Sequence, residues 1–515
     1  MSRGPLSAEV RKVASEFITF VNKAVTPYHA VEESAKLLMA AGFEELNEAD
    51  SWKIEPLKKY YVTKNRSAIF AFAVGGKYRP GNGFSIVAAH TDSPSLRVKP
   101  ISKLSADNFL QVGVATYGGG IWRTWFDRDL SLAGQVIYRK DEKLVQSLVN
   151  IAKPVLFIPN LAIHFCTERN KFECNNESML RPIIATLAAD KLNEPRKSDN
   201  QSPEEGVNDA SDIQPDHHSV LLKMIAKEAQ CAPEEIVDID LYVYDHQPAA
   251  IGGVYDEFIS SQRLDNLVGA FTAIRAIIQS VTEGSADFSN DEHIRVASCY
   301  DNEECGSESA QGAKSHFTEW LLRRLAAGES QTAFEEAIGN SFMISADQAH
   351  ASHPNYRDKY EDNHRPSFHG GVVVKVNVNQ RYATTGRTHA ILKHIAHLAS
   401  CPLQKIVVRN DMPCGTTVGP LLSSNLGLQT VDVGCAMLAM HSIRELTGTS
   451  SISHAIALYS VSTLHFFGFH ALRNEPEPSD IERHPCNLSQ LPILFAGIVR
   501  DWGCYSEMLV TDPST

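Results

Sequence analysis

No run of roughly 18 apolar residues occurs anywhere in the sequence, so it predicts no membrane-spanning helix. The start, MSRGPLSAEVRKVASEFITF, lacks an apolar h-region and a cleavage signal, and it reads as the amphipathic first helix of a domain. Basic charge is also scarce. Against 61 Asp and Glu stand 48 Lys and Arg, a formal net charge of -13. That balance argues against nucleic acid or anionic lipid as a partner. It also repels acidic ligands at long range, so an acidic substrate would need a locally basic pocket. The ten cysteines are scattered and form no CxxC pair, a usage that points to a reducing, cytosolic compartment. There is no internal repeat.

What is present is ordinary globular composition, 43% apolar and 21% charged, over 515 residues. That length exceeds one typical core, so at least two domains are expected. The first 80 or so residues read as two helices and a strand pair around KYYVTKNRSAIFAFAVG. FSIVAAHTDSP follows, a short apolar run that empties into a polar loop, as at a sheet edge in an α/β protein. From about 97 to 245 the texture becomes β-branched and turn-rich. Within it Lys191 to Asp216 is dominated by Asn, Ser, Asp, Glu and Pro and reads as a solvated, mobile loop. After Tyr244 the α/β texture returns. The expected organisation is a discontinuous α/β domain, 1–96 and 246–515, carrying a β-rich insert at 97–245.

Five segments place His, Asp or Glu just beyond an apolar strand or at a helix start: His90 and Asp92, Asp265, Glu303 and Glu304, Asp347, and His441. In open α/β sheets ligands bind beyond the carboxyl ends of strands. In HTD, side chains at i and i+2 leave an extended segment on the same side. Asp92 can then hold one imidazole nitrogen of His90 while the other faces a metal. In RLDN, Asp265 taken alone reads better as a helix N-cap than as a ligand. In DNEECGSES, adjacent carboxylates repel near a protein interior unless a cation is close. One can bind metal while its neighbour acts as general base. In SADQAHASHPNY, Asp347 ends a strand, and His350 and His353 follow at a spacing that lets both face one cavity. The set suits two zinc-like ions about 3.5–4 Å apart that share a carboxylate and activate a bridging water. The segment GGVVVKVNVNQRY reads as a strand with Val374, Val376 and Val378 on one face. Lys375 falls on the other, as on an exposed edge strand.

The motifs AAHTDSP, GGGIWRTWFDRDL, SSQRLDN, DNEECGSES, SADQAHASHPNY, CGTTVGP and MHSIRE occur in this order over nearly the whole chain. Here the sequence resembles the aspartyl aminopeptidase family of co-catalytic zinc metallopeptidases. The resemblance implies an α/β phosphorylase/hydrolase-like catalytic domain with an inserted β-rich dimerisation domain. It implies that His90 and Asp347 hold one zinc, Glu304 and His441 the other, and that Asp265 bridges them; other divalent ions such as manganese or cobalt suit the same ligands. Glu303 would be the general base facing substrate, and Asp92 would orient His90. Lys375, with Tyr382 nearby, and His350 would contact substrate. His164 would reach a neighbouring subunit's site in a dimer-built dodecamer. Cys414 to Pro420 would line the site, and GGGIWRTW reads as a dimer or domain contact.

Three functions compete. The first is release of N-terminal Asp or Glu from peptides. The second is a broader metallo-exopeptidase or deacylase preferring neutral residues, with the same metal ligands. The third is a non-enzymatic scaffold, which predicts a missing ligand or base; none is missing.

Overall fold

The structure, a computed structural model, describes residues 7–193, 213–282 and 288–464. Most of the polar segment 191–216 therefore lies outside the described residues. Among the described residues no helix is long and apolar enough to cross a membrane.

The chain opens with helices Ala8–Lys23 and Pro27–Ala40, capped by Ser7 and Thr26, whose hydroxyls accept from Val10 and His29 N–H. Val10, Ala14, Phe17 and Val21 recur at helical spacing and are buried. The next apolar runs build a nine-stranded sheet. Its centre is four adjacent strands, Ile294–Tyr300, Phe84–His90, Phe342–Ala346 and Gln429–Gly434, all parallel. Apart from Gln429, each is buried along its whole length, because both of its faces are covered. Parallel pairing fixes which ends coincide. Tyr300 is level with His90, and Ser345 with Ala88, so three strands discharge their polar tails along one edge.

Residues Ser95 to Asp245 supply a second, antiparallel sheet of six strands. The β-branched, turn-rich texture read there corresponds to this sheet, but the helix Ser219–Ala229 was not foreseen. Its Leu221, Leu222, Ile225, Ala226 and Ala229 face the sheet's core. A small third sheet joins Ala349–His350, Ala436–Leu438, Glu445–Gly448 and Phe258–Ser261, with Ala250–Gly252 at its edge. It lies beside the polar edge of the large sheet in sequence at two points, Asp347 and Asp265. The helix Thr449–Leu464 also lacked a sequence signal: its described residues are buried on nearly every side, so it has no amphipathic period to read.

Two expectations for GGVVVKVNVNQRY need correction. The strand ends at Val376, and Val378 lies beyond it, 89% exposed. The strand is not an edge, because it pairs with Gln429–Gly434 on one side and Leu403–Val407 on the other. Lys375 is accordingly buried, 4% exposed.

Packing near the polar edge is tight. A Cβ on Gly434 would stand 1.9 Å from the carbonyl oxygen of Asp347, which is backbone and cannot swing aside. Gly434→Ala is expected to cost about 1–3 kcal/mol, as overpacking does, and to lower the melting temperature measurably; an unshifted melt would show that this edge can relax.

Candidate metal centre

Each functional side chain is delivered by a local feature of the chain. His90 is the last residue of its strand, and Asp92 lies two residues on, both almost fully buried. The imidazole Nδ1 lies 3.3 Å from Asp92 Oδ1 and 3.0 Å from the Asp92 carbonyl. Nε2 turns the other way, 3.5 Å from Asp265 Oδ1, 3.8 Å from Glu303 Oε2 and 4.0 Å from Asp347 Oδ1. After Ile294–Tyr300 the chain makes a short turn, Glu303–Cys305, entered through Asn302 (φ 61°) and left through Gly306 (φ 103°). This turn points both Glu303 and Glu304 back over the sheet edge.

Asp265 is not the N-cap of the helix that follows. Its ψ of 108° is extended, and the capping bond is made by Asn266, whose Oδ1 accepts from Gly269 N–H at 3.0 Å. Asn266 takes the structural role and leaves Asp265 for the cluster. Asp265 Oδ1 faces His90 while Oδ2 lies 3.3 Å from His441 Nε2. His441 Nε2 is also 3.4 Å from Glu304 Oε2. Glu445 ties the two loops together: its carboxylate accepts from the backbone N–H of His441 at 2.7 Å and of Asp265 at 3.2 Å. Asp347 follows Phe342–Ala346 directly, and its Oδ2 lies 3.6 Å from Lys375 Nζ.

The electrostatics describe a cluster short of positive charge. Burial pushes Glu303 up to about 8, assisted by Asp347, Asp92 and Asp265 against His90. Burial and Asp265 raise Glu304 well above the carboxylate range. Burial raises Asp347 to about 6, although Lys375 pulls down. Burial opposes charge on His441, yet Asp265 and Glu304 outweigh it and hold the imidazolium up to about 10. His90 is raised well above its ordinary value for the same reason, with Asp265 and Asp92 overcoming burial. Burial disfavours the Asp265 carboxylate as well, but the adjoining His441 and His90 imidazoles hold it far below its ordinary value.

The donors fit divalent cations. Ligand atoms of His90, Asp265 and Asp347 lie within 4.8 Å of one another, and so do those of Asp265, Glu304 and His441. The two groups share Asp265. Asp265 Oδ1 and Glu304 Oε1 are buried without a hydrogen-bond partner, a costly state for a carboxylate oxygen that a cation relieves. Nitrogen and oxygen donors without thiolate suit a hydrolytic zinc site.

A profile for the aminopeptidase I zinc metalloproteases, M18, matches residues 20–465. The chain belongs to the M18 family. It is a zinc-dependent aminopeptidase, a metallo-exopeptidase. An aspartyl aminopeptidase of Caenorhabditis elegans is 63% identical over 456 residues, 88% of this chain and 96% of that protein. One of Aspergillus oryzae is 43% identical over 90% of this chain and 97% of its own length. Among solved structures, a chain in the cryo-EM structure of the Ape4 and Nbr1 complex superposes with a TM-score of 0.84 at 43% identity, covering 91% of this chain and 89% of that one. The Saccharomyces cerevisiae mApe1 dodecamer gives a TM-score of 0.78 at 28% identity, covering 91% of this chain and 100% of that one.

Beside the M18 centre, Lys375 Nζ stands 5.2 Å from the ring centroid of buried Tyr382. His350 and Tyr382 line a cavity of about 260 Å³ together with Cys414 and Gly415. Burial, then Lys375, hold His350 toward its neutral form. His353 does not share that cavity; its ring meets Tyr356 edge-on at 4.8 Å. A groove of about 670 Å³ is lined by Glu303, Arg381, Thr416 and Pro420, so the Cys414 to Pro420 loop does wall both spaces. His164 stands apart from all of this, exposed on the short turn Ile163–Phe165. Glu445 and Tyr117 had been given no role from sequence, and Gly118 and Gly119 only that of a dimer or domain contact. The only available signal was the acidic residue four positions after His441 in MHSIRE.

Proposed function

We propose that this M18 enzyme binds two zinc ions per subunit and releases N-terminal Asp or Glu from peptides. His90 and Asp347 would hold one ion, Glu304 and His441 the other, with Asp265 shared. The observation that carries this is the pair of three-donor groups that meet at Asp265. When bound, the ions supply Lewis acidity for water and for the scissile carbonyl. Glu303 stands at the head of the groove and takes the proton from the attacking water, then returns it to the leaving amine. Asp92 holds Nδ1 of His90 so that Nε2 stays turned to the centre.

Acid selectivity rests on Lys375. Its ammonium is buried, and among the described residues its one ion-pair partner within 4.0 Å is Asp347, a proposed zinc ligand. A buried cation whose carboxylate is committed elsewhere favours an acidic side chain in the adjoining space. His350 and Tyr382 complete that wall. The names of the relatives, aspartyl aminopeptidases, agree with this reading. His164 would serve a neighbouring subunit's site. Exposed Leu161, Ile163 and Phe165 around it (64%, 58% and 76%) form a surface that self-association would cover, and a dodecamer like that of mApe1 is the proposed assembly. The six-stranded sheet within Ser95–Asp245 supports the division into a catalytic domain, 1–96 and 246–515, and an insert, 97–245. Free thiols at the described cysteines agree with a cytoplasmic enzyme.

The test is hydrolysis of matched Asp-, Glu- and Leu-peptides by wild type and Lys375→Ala, with and without a chelator. Chelator-sensitive release of Asp and Glu, with little Leu, is expected from the wild type. Lys375→Ala should lose roughly 10–150-fold in kcat/KM on Asp and Glu peptides, the worth of a charged hydrogen bond, with Leu spared. Leu-led release would favour the neutral exopeptidase and remove Lys375 from substrate recognition.

A further inference from the structure

The strand Phe109–Tyr117 belongs to the six-stranded sheet, yet its last residue and the corner after it touch the metal centre. Tyr117 is buried, and its hydroxyl donates to Asp92 Oδ2 at 2.6 Å. The same oxygen accepts the backbone N–H of Glu304 at 3.0 Å. The other oxygen of Asp92 faces His90 Nδ1. Asn302 Nδ2 donates to the phenol oxygen at 3.1 Å, so the phenol's own proton is directed to Asp92. Gln311 in turn fixes the Asn302 amide at 2.9 Å. The chain then turns through Gly118 (φ 72°), where a Cβ would press on Glu304 Cβ at 3.1 Å. The Gly119 carbonyl lies 3.1 Å from His441 Nδ1, and Ile121 N–H donates to the His441 carbonyl at 2.9 Å.

We propose that Tyr117 is a positioning residue for zinc: its hydroxyl fixes the Asp92 carboxylate, which sets the His90 ring and the Glu304 backbone together. The inference rests on the two-zinc reading above. Asp92 Oδ2 takes both the phenol and the Glu304 amide while Oδ1 lies 3.3 Å from His90 Nδ1, so the carboxylate has little rotational freedom left. Without the phenol, Asp92 Oδ2 keeps only the Glu304 amide, and the carboxylate can rotate away from His90. His90 Nδ1 would then keep only the Asp92 carbonyl, 3.0 Å away, and lose the anionic partner that helps to hold its tautomer and ring orientation. Gly119 performs the matching task for His441 through its carbonyl, so the inserted sheet holds ligands of both proposed zinc sites.

The experiment is zinc affinity by competition with a chromogenic chelator, alongside steady-state kinetics, for Tyr117→Phe. The ring and its packing remain, and only the hydroxyl goes. Zinc affinity is expected to fall about 10–100-fold, as for other outer partners of metal ligands. Turnover should fall at limiting zinc and recover at excess zinc, with KM little changed. Tyr242→Phe is the control. Its ring packs 6.2 Å from that of Tyr117 in the same sheet but makes no bond to Asp92, so zinc affinity should hold. Because Tyr117 acts through Asp92, Tyr117→Phe should add nothing to Asp92→Asn; additive losses would overturn the proposal. Unchanged zinc affinity in Tyr117→Phe would overturn it alone. A wild-type chain that takes up no zinc would overturn the two-zinc reading and this proposal with it.

Discussion

Glu303→Gln should keep its zinc and lose turnover by about 10²–10⁴-fold, the usual worth of a general base. The substitution preserves volume and shape. It removes only the capacity to take and return a proton. Glu303 is set for that task by position and by environment. It lines the groove that would take the peptide beyond the scissile bond. Its Oε2 lies 3.8 Å from His90 Nε2; it belongs to neither three-donor group built on Asp265, and its carboxylate groups instead with His90 and Glu304. Burial first, and then the surrounding carboxylates, push it up to about 8. Positive charge bound at the cluster would lower it again, toward the range where a base works at neutral pH. Zinc content by atomic emission and kcat on an Asp-peptide decide the matter together. Turnover near wild type would remove Glu303 from the mechanism. Lost zinc would make it a ligand instead of the base.

Asp265→Asn should be as damaging by a different route. Asp265 turns one oxygen to His90 and the other to His441, and both three-donor groups depend on it. An amide offers one neutral acceptor and one donor in place of two anionic oxygens. The donor end would face an imidazole nitrogen or a cation, and either contact is unfavourable. Zinc affinity should fall by more than the roughly 100-fold expected for an outer partner, with activity falling alongside it. Equilibrium dialysis against a zinc buffer measures this. A full zinc complement with normal turnover would show that Asp265 is not shared. The fold should survive, because the helix cap beside it belongs to Asn266.

The Asn266 cap also illustrates how far sequence reading reaches. RLDN offers two residues that cap helices well, and nothing local says which one does. The decision is made by backbone conformation at Asp265 and by a bond from Asn266 Nδ2 to the Ala346 carbonyl, 80 residues away. Lys375 is a second instance. Alternation in VVVKVNVN places it opposite the valines, and an edge strand would leave it in water. Strand order puts neighbours on both sides of it and Asp347 against its ammonium.

The polar tails of FSIVAAHTD, HIRVASCYDNEE and NSFMISAD were legible because a buried parallel strand is a continuous apolar run, and its end is marked by the first charged residues. Residue type added the chemistry, since imidazole and carboxylate without thiolate suit hydrolytic zinc. Those features are local, and the sequence alone determined them: the α/β class, the strand ends that carry the candidate ligands, and the residue types found there. The tertiary structure alone decided which tails meet, that Asp265 stands between His90 and His441, that Lys375 is buried, and that Tyr117 bonds to Asp92 and Glu445 to the Asp265 and His441 backbone. The reason is physical. Apart from the Glu445 contact with His441, these relations join residues 25 to 322 positions apart, and they exist only after parallel pairing has brought the strand ends into line and the six-stranded sheet has packed against them.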